Sequence, residues 1–394
     1  MNSLQRLFFA LMVVVSQRVS SLVLLTPPAS HYGFYDDVRT DLFDFYADFY
    51  QAATAVGERV LLVATKDPRR GIDNGAHQEL RSRGIPAEDM LDFVLDDIWA
   101  RDFMPTQLSS SLYARFSYQP AYLDEDSVFY INASAEDLIG YWELRSSDSS
   151  LTRYDNIIMD GGNIVFISTS SNENGTDTAT ESVAIVTERV LRDNPALAGR
   201  SGSGLGPAFT CCPWDPYGIL DGDEYGQFSI EELAAGERAL EEALEFDRVA
   251  IVPEEPEVVR LGHIDGIANF LAPGILALSN FSDTSTYQAY EQLLLEKLGG
   301  NITIVPLPYA VADETFTDGF ESAKGIYVNF LRTNMAIYLP LFDIPEDAVA
   351  LEIAQSYSDL PVVGVNASQV AIMGGSVRCL SQHLWGDIAE AVLG

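Results

Sequence analysis

The chain has 394 residues, 47% of them hydrophobic and 21% charged. That is enough to bury a large core and too apolar for a disordered polymer. With 23 Lys and Arg against 58 Asp and Glu, the formal net charge is −35, which excludes nucleic acid as a partner because phosphate binding needs basic surface. An acidic cleft attracts cations instead, such as guanidinium compounds or basic peptides.

At the amino end, Arg6 precedes the apolar run Leu7 to Val15, and the small residues Ser16, Ser20 and Ser21 follow. This pattern predicts a secretory signal peptide over residues 1–21 and an extracellular protein. The run is shorter than the ~20 apolar residues that cross a bilayer, so no membrane partner is expected. Asn-x-Ser/Thr sites at Asn132, Asn174, Asn280, Asn301 and Asn366 agree with export and glycosylation. The three cysteines are too few for a disulfide framework. Cys211 and Cys212 are neighbours, a poor geometry for a bridge, which leaves Cys379 as a free thiol.

Leu22 to Leu25 reads as a first strand. Apolar spacing predicts a helix over Asp36 to Val56, then a buried strand Arg59 to Thr65 and a short helix Ala76 to Arg83. Asp92 to Ile98 is expected as a strand leading into Trp99-Ala-Arg101-Asp102, and Tyr113 to Tyr130 as strands with turns. Ile157 to Ile167 reads as strand, Gly-Gly turn, strand. Residues 168–180 and 196–226, rich in Gly, Pro, Ser and Asn, read as irregular insertions. Ser229 with Glu232 forms a capping box for a helix to about Leu244, followed by the strand Arg248 to Val252. A helix Thr286 to Leu298 and a strand Ile302 to Val305 come next. Ile326 to Leu331 and Met335 to Pro340 read as paired strands, Ala348 to Tyr357 as a helix, and Val362 to Val365 as extended. The alternation predicts an α/β fold in a single domain, residues 22–394, with no repeat visible by eye.

Four segments hold groups suited to chemistry: Trp99-Ala-Arg101-Asp102, Asp160-Gly-Gly-Asn163, Gly262-His263-Ile-Asp265-Gly266 and Gly374-Gly-Ser-Val-Arg-Cys379. A thiolate is a strong nucleophile, a histidine can deliver protons to a leaving nitrogen, and carboxylates grip a planar guanidinium with paired hydrogen bonds. Asp221, Asp223, Tyr225 and Glu232 also match the spacing of a calcium loop, with Gly226 at its sixth position. Pro213, Pro216 and Gly218 oppose the helix that should lead into such a loop, so an acidic turn before a capped helix is the simpler reading.

In their order along the chain, these four segments resemble the agmatine deiminase and bacterial (Porphyromonas-type) peptidyl-arginine deiminase family. That family belongs to the guanidino-modifying, or pentein, superfamily. The resemblance implies a five-bladed α/β propeller and a hydrolase that converts a guanidino group to a ureido product and ammonia, without cofactor or metal. It implies that Cys379 attacks the guanidinium carbon, forming a thiouronium. His263 protonates the departing ammonia and then activates water. Asp102 and Asp265 bind the guanidinium, Asp160 orients His263, and Trp99, Asn329 and Asn163 lie at the substrate. The expected partner is a small guanidine or an arginine-containing peptide; agmatine and peptidyl-arginine both remain open, as does the oligomeric state. Tyr118-Gln-Pro-Ala-Tyr122 departs from the family's aromatic-Asn-Ala-Trp-Gly segment. Asp124, Glu125 and Asp126 argue against recognition of a substrate carboxylate. A cysteine peptidase or amidase using Cys379 and His263, and a silent binding protein on the same fold, are the competing readings.

Overall fold

The computed structural model describes residues 20–28, 35–67, 72–73, 75–95, 97–108, 112–120, 123–143, 150–167, 181–200, 228–255, 262–299, 302–311 and 321–393. Residues 1–19 of the expected leader, Cys211, Cys212, His31, Asp221, Asp223, Tyr225, Asn174 and Asn301 lie outside them. Among the described residues no helix is long and apolar enough to cross a membrane.

The α/β expectation holds. Five sheets share one plan: an antiparallel pair followed by a parallel pair. In chain order these are Thr106–Gln107 with Leu112–Ser117 and Ser150–Ile158; Val165–Ile167 with Val183–Thr187 and Arg248–Val252; Ala268–Ala272 with Ile275–Asn280 and Thr303–Pro308; and Leu331–Arg332 with Ile337–Leu341 and Val362–Asn366. The fifth is built from both chain ends. Ser381–Trp385 runs antiparallel to Ser21–Leu25, which pairs parallel with Arg59–Ala64, and Met90–Asp92 extends the edge. In each of the five sheets the central parallel pair is joined through helix, as parallel strands require: Arg39–Ala55, Glu125–Glu143, Ile230–Leu244, Thr284–Leu298 and Glu346–Tyr357 lie in these connections, and Ala76–Ser82 lies in the one to the added edge strand Met90–Asp92. The repeat invisible in the sequence is thus a repeat of pairing.

Ser21–Leu25 shows why its residues are apolar without alternation. Val23 and Leu25 enter one core with Phe43, Tyr46, Phe49, Tyr338 and Cys379. Leu22 and Leu24 enter another with Phe103, Leu138, Trp142 and Ile388. Successive side chains point to opposite faces, and here both faces are covered.

Two expectations fail locally. The strand expected across Asp92–Ile98 stops at Asp92. Asp97 turns its own carboxylate onto the Ile98 amide at 2.7 Å and takes the Tyr35 hydroxyl at 2.6 Å, so the amide is lost to a ladder. The last third of Tyr113–Tyr130 belongs to the helix Glu125–Glu143. Asp124 Oδ1 accepts the Ser127 amide at 2.7 Å as a cap, and Glu125 and Asp126 lie in the positive first turn. The acids read as a substrate feature therefore have a local reason to be there. The capping box at Ser229 is present as expected, and Glu232 spends its oxygens on Ser229 N and on Arg200. Asn132 is not poised for a glycan: its Nδ2 donates to the Tyr118 and Val128 carbonyls and its Oδ1 accepts from Arg115.

His383 pairs with Val23 in the fifth sheet. It is buried, bonded through Nε2 to Ser21 Oγ at 2.9 Å and stacked on Trp385. Burial, with the charges of Arg101 and Arg332, pushes it down to about 3. Between its ordinary value and about 3 the unfolded chain binds the extra proton. The stability it contributes is therefore full above about pH 6.5 and falls as the pH drops towards 3, by on the order of a few kcal/mol. Denaturant titrations of His383→Gln across this range are expected to show a flatter decline than the parent; equal slopes would assign the loss to other groups.

Candidate active site

The site residues share one topological position. Each stands at a junction between the last strand of one sheet and the first of the next. Trp99, Arg101 and Asp102 precede Thr106–Gln107. Asp160 and Asn163 lie between Ile158 and Val165. His263 and Asp265 lie between Val252 and Ala268, Asn329 before Leu331, and Cys379 before Ser381. Five remote stretches thereby contribute to one place. Asp102 sits on the short helix Ala100–Phe103, whose Arg101 amide donates to the Cys379 carbonyl at 3.2 Å.

Gly162 marks the centre. Its amide donates to Asp102 Oδ1 at 2.8 Å. A Cβ there would stand 2.6 Å from His263 Nδ1, 2.7 Å from Asp102 Oδ1 and 3.3 Å from Asp265 Oδ2, so three of the expected groups converge on a position only glycine fills. The Cys379 thiol faces Asp265 Oδ2 at 3.7 Å. Asn329 Nδ2 donates to Cys379 Sγ at 3.1 Å, while Asn329 Oδ1 accepts the Ser376 amide at 3.2 Å and hydroxyl at 3.0 Å. Gly375 lets the turn pass under Trp99: a Cβ there would lie 2.6 Å from Trp99 Cζ3 and 3.1 Å from the sulfur.

His263 is held from behind. Its Nε2 lies 3.0 Å from Asp160 Oδ2 and its Nδ1 faces Asp102 Oδ1 at 3.9 Å. Burial works against its charge, but the hydrogen bond to Asp160 and the charges of Asp102 and Asp160 outweigh this and hold it above its ordinary value. Burial likewise opposes the Asp160 charge, yet Arg189 and His263 keep that carboxyl below the usual range. Asp102 reaches about 7: burial pushes it up, His263 pulls back, and Asp160 and Asp265 add to the rise. Burial and the charges of Asp265 and Asp102 push the Cys379 thiol well up.

Asn163 is placed differently from its expected role at the substrate. Its Oδ1 accepts the Thr187 amide and hydroxyl, at 3.1 and 2.8 Å, so it pins the Gly161–Asn163 turn to the next strand. Asp265 is already engaged by a guanidinium of the protein itself, because Arg378 Nη1 donates to its Oδ2 at 2.7 Å.

Three buried arginines escaped the sequence reading. Arg189 Nη2 lies 3.3 Å from Asp160 and Nη1 3.5 Å from His263 Nε2. Arg378 holds Asp265. The Nε of Arg101 has no hydrogen-bond partner among the described residues, and burial together with Arg378 lowers its guanidinium to about 9. Arg101 and Arg378 lay inside motifs already singled out; no sequence signal connected Arg189 to them. Three acids and three arginines thus surround an imidazole whose charge Asp160 favours and a thiol that burial and two carboxylates keep protonated. Such a buried cluster of charged groups can hold a cation while a proton moves within it. Among the described residues no group of three or more His, Cys, Asp or Glu could hold a metal ion.

Residues 232–384 match the model of the Porphyromonas-type peptidyl-arginine deiminase family. That stretch contains His263, Asp265, Asn329 and Cys379 but not Asp102 or Asp160. A Listeria monocytogenes protein named "Putative agmatine deiminase 2" is 33% identical over 31% of this chain and 40% of its own length. The chain therefore matches less than half the length of that relative. An agmatine deiminase of Enterococcus faecalis superimposes with a TM-score of 0.63 over 93% of both chains at 18% identity. One from C. jejuni does so with 0.62 over 92% of this chain and 93% of its own at 15%. The sequence resemblance is thus shown over the last two motifs. The whole-chain likeness is one of fold, shared with these α/β structures.

Proposed function

We propose that this chain is a thiol-dependent hydrolase that deiminates a guanidino group, giving a ureido compound and ammonia. The observation that carries this reading is the convergence of His263, Asp102 and Asp265 on Gly162, with the Cys379 thiol facing Asp265. A planar cation held by these two carboxylates would meet the sulfur, which stands beside one of them. The family match over residues 232–384 supports the same reaction. We take the five sheets as the blades of an α/β propeller in one domain.

The steps follow from charge. A bound guanidinium brings positive charge to Asp102 and Asp265, the two groups that oppose ionisation of the thiol. Substrate binding therefore lowers the thiol pKa, and the thiol proton passes to solvent as the cation arrives. The thiolate adds to the guanidinium carbon. His263, kept protonated by Asp160, gives its proton to one nitrogen, which departs as ammonia and leaves a thiouronium. Water, its proton taken by the now neutral His263, adds to the same carbon. The carbon–sulfur bond breaks, the proton of the new hydroxyl passes to the departing sulfur, and the ureido product forms as the thiol is restored.

The apolar run Leu7–Val15 supports export. Ser21–Leu25 is an interior strand, so processing compatible with this fold falls before Ser21.

The test is incubation with agmatine, arginine and an arginine-containing peptide. Ammonia and ureido product are expected in equal amounts from at least one of them. Peptide-bond cleavage without ureido product would point to an amidase, and no turnover of any guanidine would point to a binding protein.

A further inference from the structure

Arg378, the residue before the nucleophile, has no part in the steps above, yet it is buried among them. Its Nη1 donates to Asp265 Oδ2 at 2.7 Å, its Nη2 to the Ile164 carbonyl at 2.6 Å, and its amide to the Asn329 carbonyl at 3.1 Å. It thus links the segments bearing Asp160, Asp265, Asn329 and Cys379. The side chains of the Arg378–Asp265 pair are only 7% and 3% exposed, so water screens little of their charge. The oxygen it holds is also the one 3.7 Å from the sulfur.

We propose that Arg378 is a positioning residue. It fixes the Asp265 carboxylate by Oδ2, screens that charge from the Cys379 sulfur, and leaves Oδ1 as the oxygen offered to a bound cation. This rests on the deiminase reading only for the identity of that cation. Because Oδ2 is occupied, Asp265 meets a substrate guanidinium with one oxygen rather than as a two-oxygen fork. The second contact falls to Asp102, whose Oδ1 already takes the Gly162 amide. The charged groups that face the sulfur are Asp265, from the turn after His263, and Asp102 and Arg101, from Ala100–Phe103. Asn329 is its neutral partner. His263 stands behind Asp102, against Asp160. Without Arg378 the Asp265 charge would act on the sulfur undiminished.

The experiment measures Cys379 alkylation by iodoacetamide against pH in the full chain without substrate. Peptide mass spectrometry isolates the Cys379 signal from Cys211 and Cys212. Arg378→Gln is expected to move the alkylation midpoint up by about one pH unit, a roughly tenfold slower reaction below it. Arg378→Lys should recover most of the shift, and adding Asp265→Asn to Arg378→Gln should cancel it. A profile for Arg378→Gln that superimposes on the parent, with both proteins folded, overturns the proposal. If Arg378→Gln does not fold, Asp265→Asn decides. It should lower the midpoint by removing the charge nearest the sulfur, and an unmoved midpoint overturns the proposal equally. Alkylation needs no turnover, so a chain that showed these shifts but processed no guanidine would lose the proposed activity and keep this coupling.

Discussion

Cys379→Ala is expected to reduce guanidine turnover by about 10⁴-fold or more while leaving guanidine binding in place, because loss of a nucleophile removes the covalent route rather than the grip on the substrate. In the proposed reading the grip belongs to Asp102 and Asp265, which the substitution leaves untouched. Cys379 is 5% exposed and packs in the largest core cluster with Trp99 and Leu380. Losing one sulfur there removes little volume, so the melting temperature should change by only a few degrees. Removing a thiol that two carboxylates hold protonated also leaves the charge balance of the free site unaltered. The comparison is kcat for product formation beside calorimetric titration with the same guanidine. Turnover within tenfold of the parent would remove Cys379 from the chemistry, and loss of binding along with turnover would make it structural.

Gly162→Ala should be nearly as damaging without touching a reacting group. The added methyl would stand 2.6 Å from His263 Nδ1 and 2.7 Å from Asp102 Oδ1. Neither group can retreat easily, since Asp160 holds the far side of the imidazole and the Gly162 amide holds the carboxylate. Both must therefore shift, and a displacement near 1 Å in a reacting constellation costs about 10²-fold in kcat/KM. The same overpacking should cost about 1–3 kcal/mol of stability, measured by denaturant titration. Gly140→Ala is the control: nothing lies within 4 Å of its added methyl, and it sits inside the helix Glu125–Glu143. It should leave activity alone and add up to about 1 kcal/mol from helix propensity. If both alanines leave kcat/KM unchanged, the close approach at Gly162 is not a constraint on the chemistry.

Much of this was legible in the sequence because it is local. The helix Ile230–Leu244 announces itself in Ser229 and Glu232, and the strand Arg248–Val252 in an unbroken apolar run, since capping and burial depend on residues a few positions apart. The four segments bearing Asp102, Asp160, His263 and Cys379 were visible as unusual residue combinations at fixed spacing. What the sequence hid is what depends on distance. The helix at Glu125–Glu143 was masked by β-prone residues such as Val128, Phe129 and Tyr130, and was settled by a cap at Asp124 and packing of Leu138 and Trp142 into a core. The common pairing plan of the five sheets leaves no fixed repeat length, because a hydrogen-bonded ladder needs partners and not equal spacing. The engagement of Asp265 by Arg378, and of Asp160 by Arg189, is a matter of ångströms between residues far apart in the chain. Residue type and local spacing determined which groups could do chemistry here; only the meeting of five sheet junctions decided which charges oppose one another, because electrostatic coupling follows separation in space and exclusion of water.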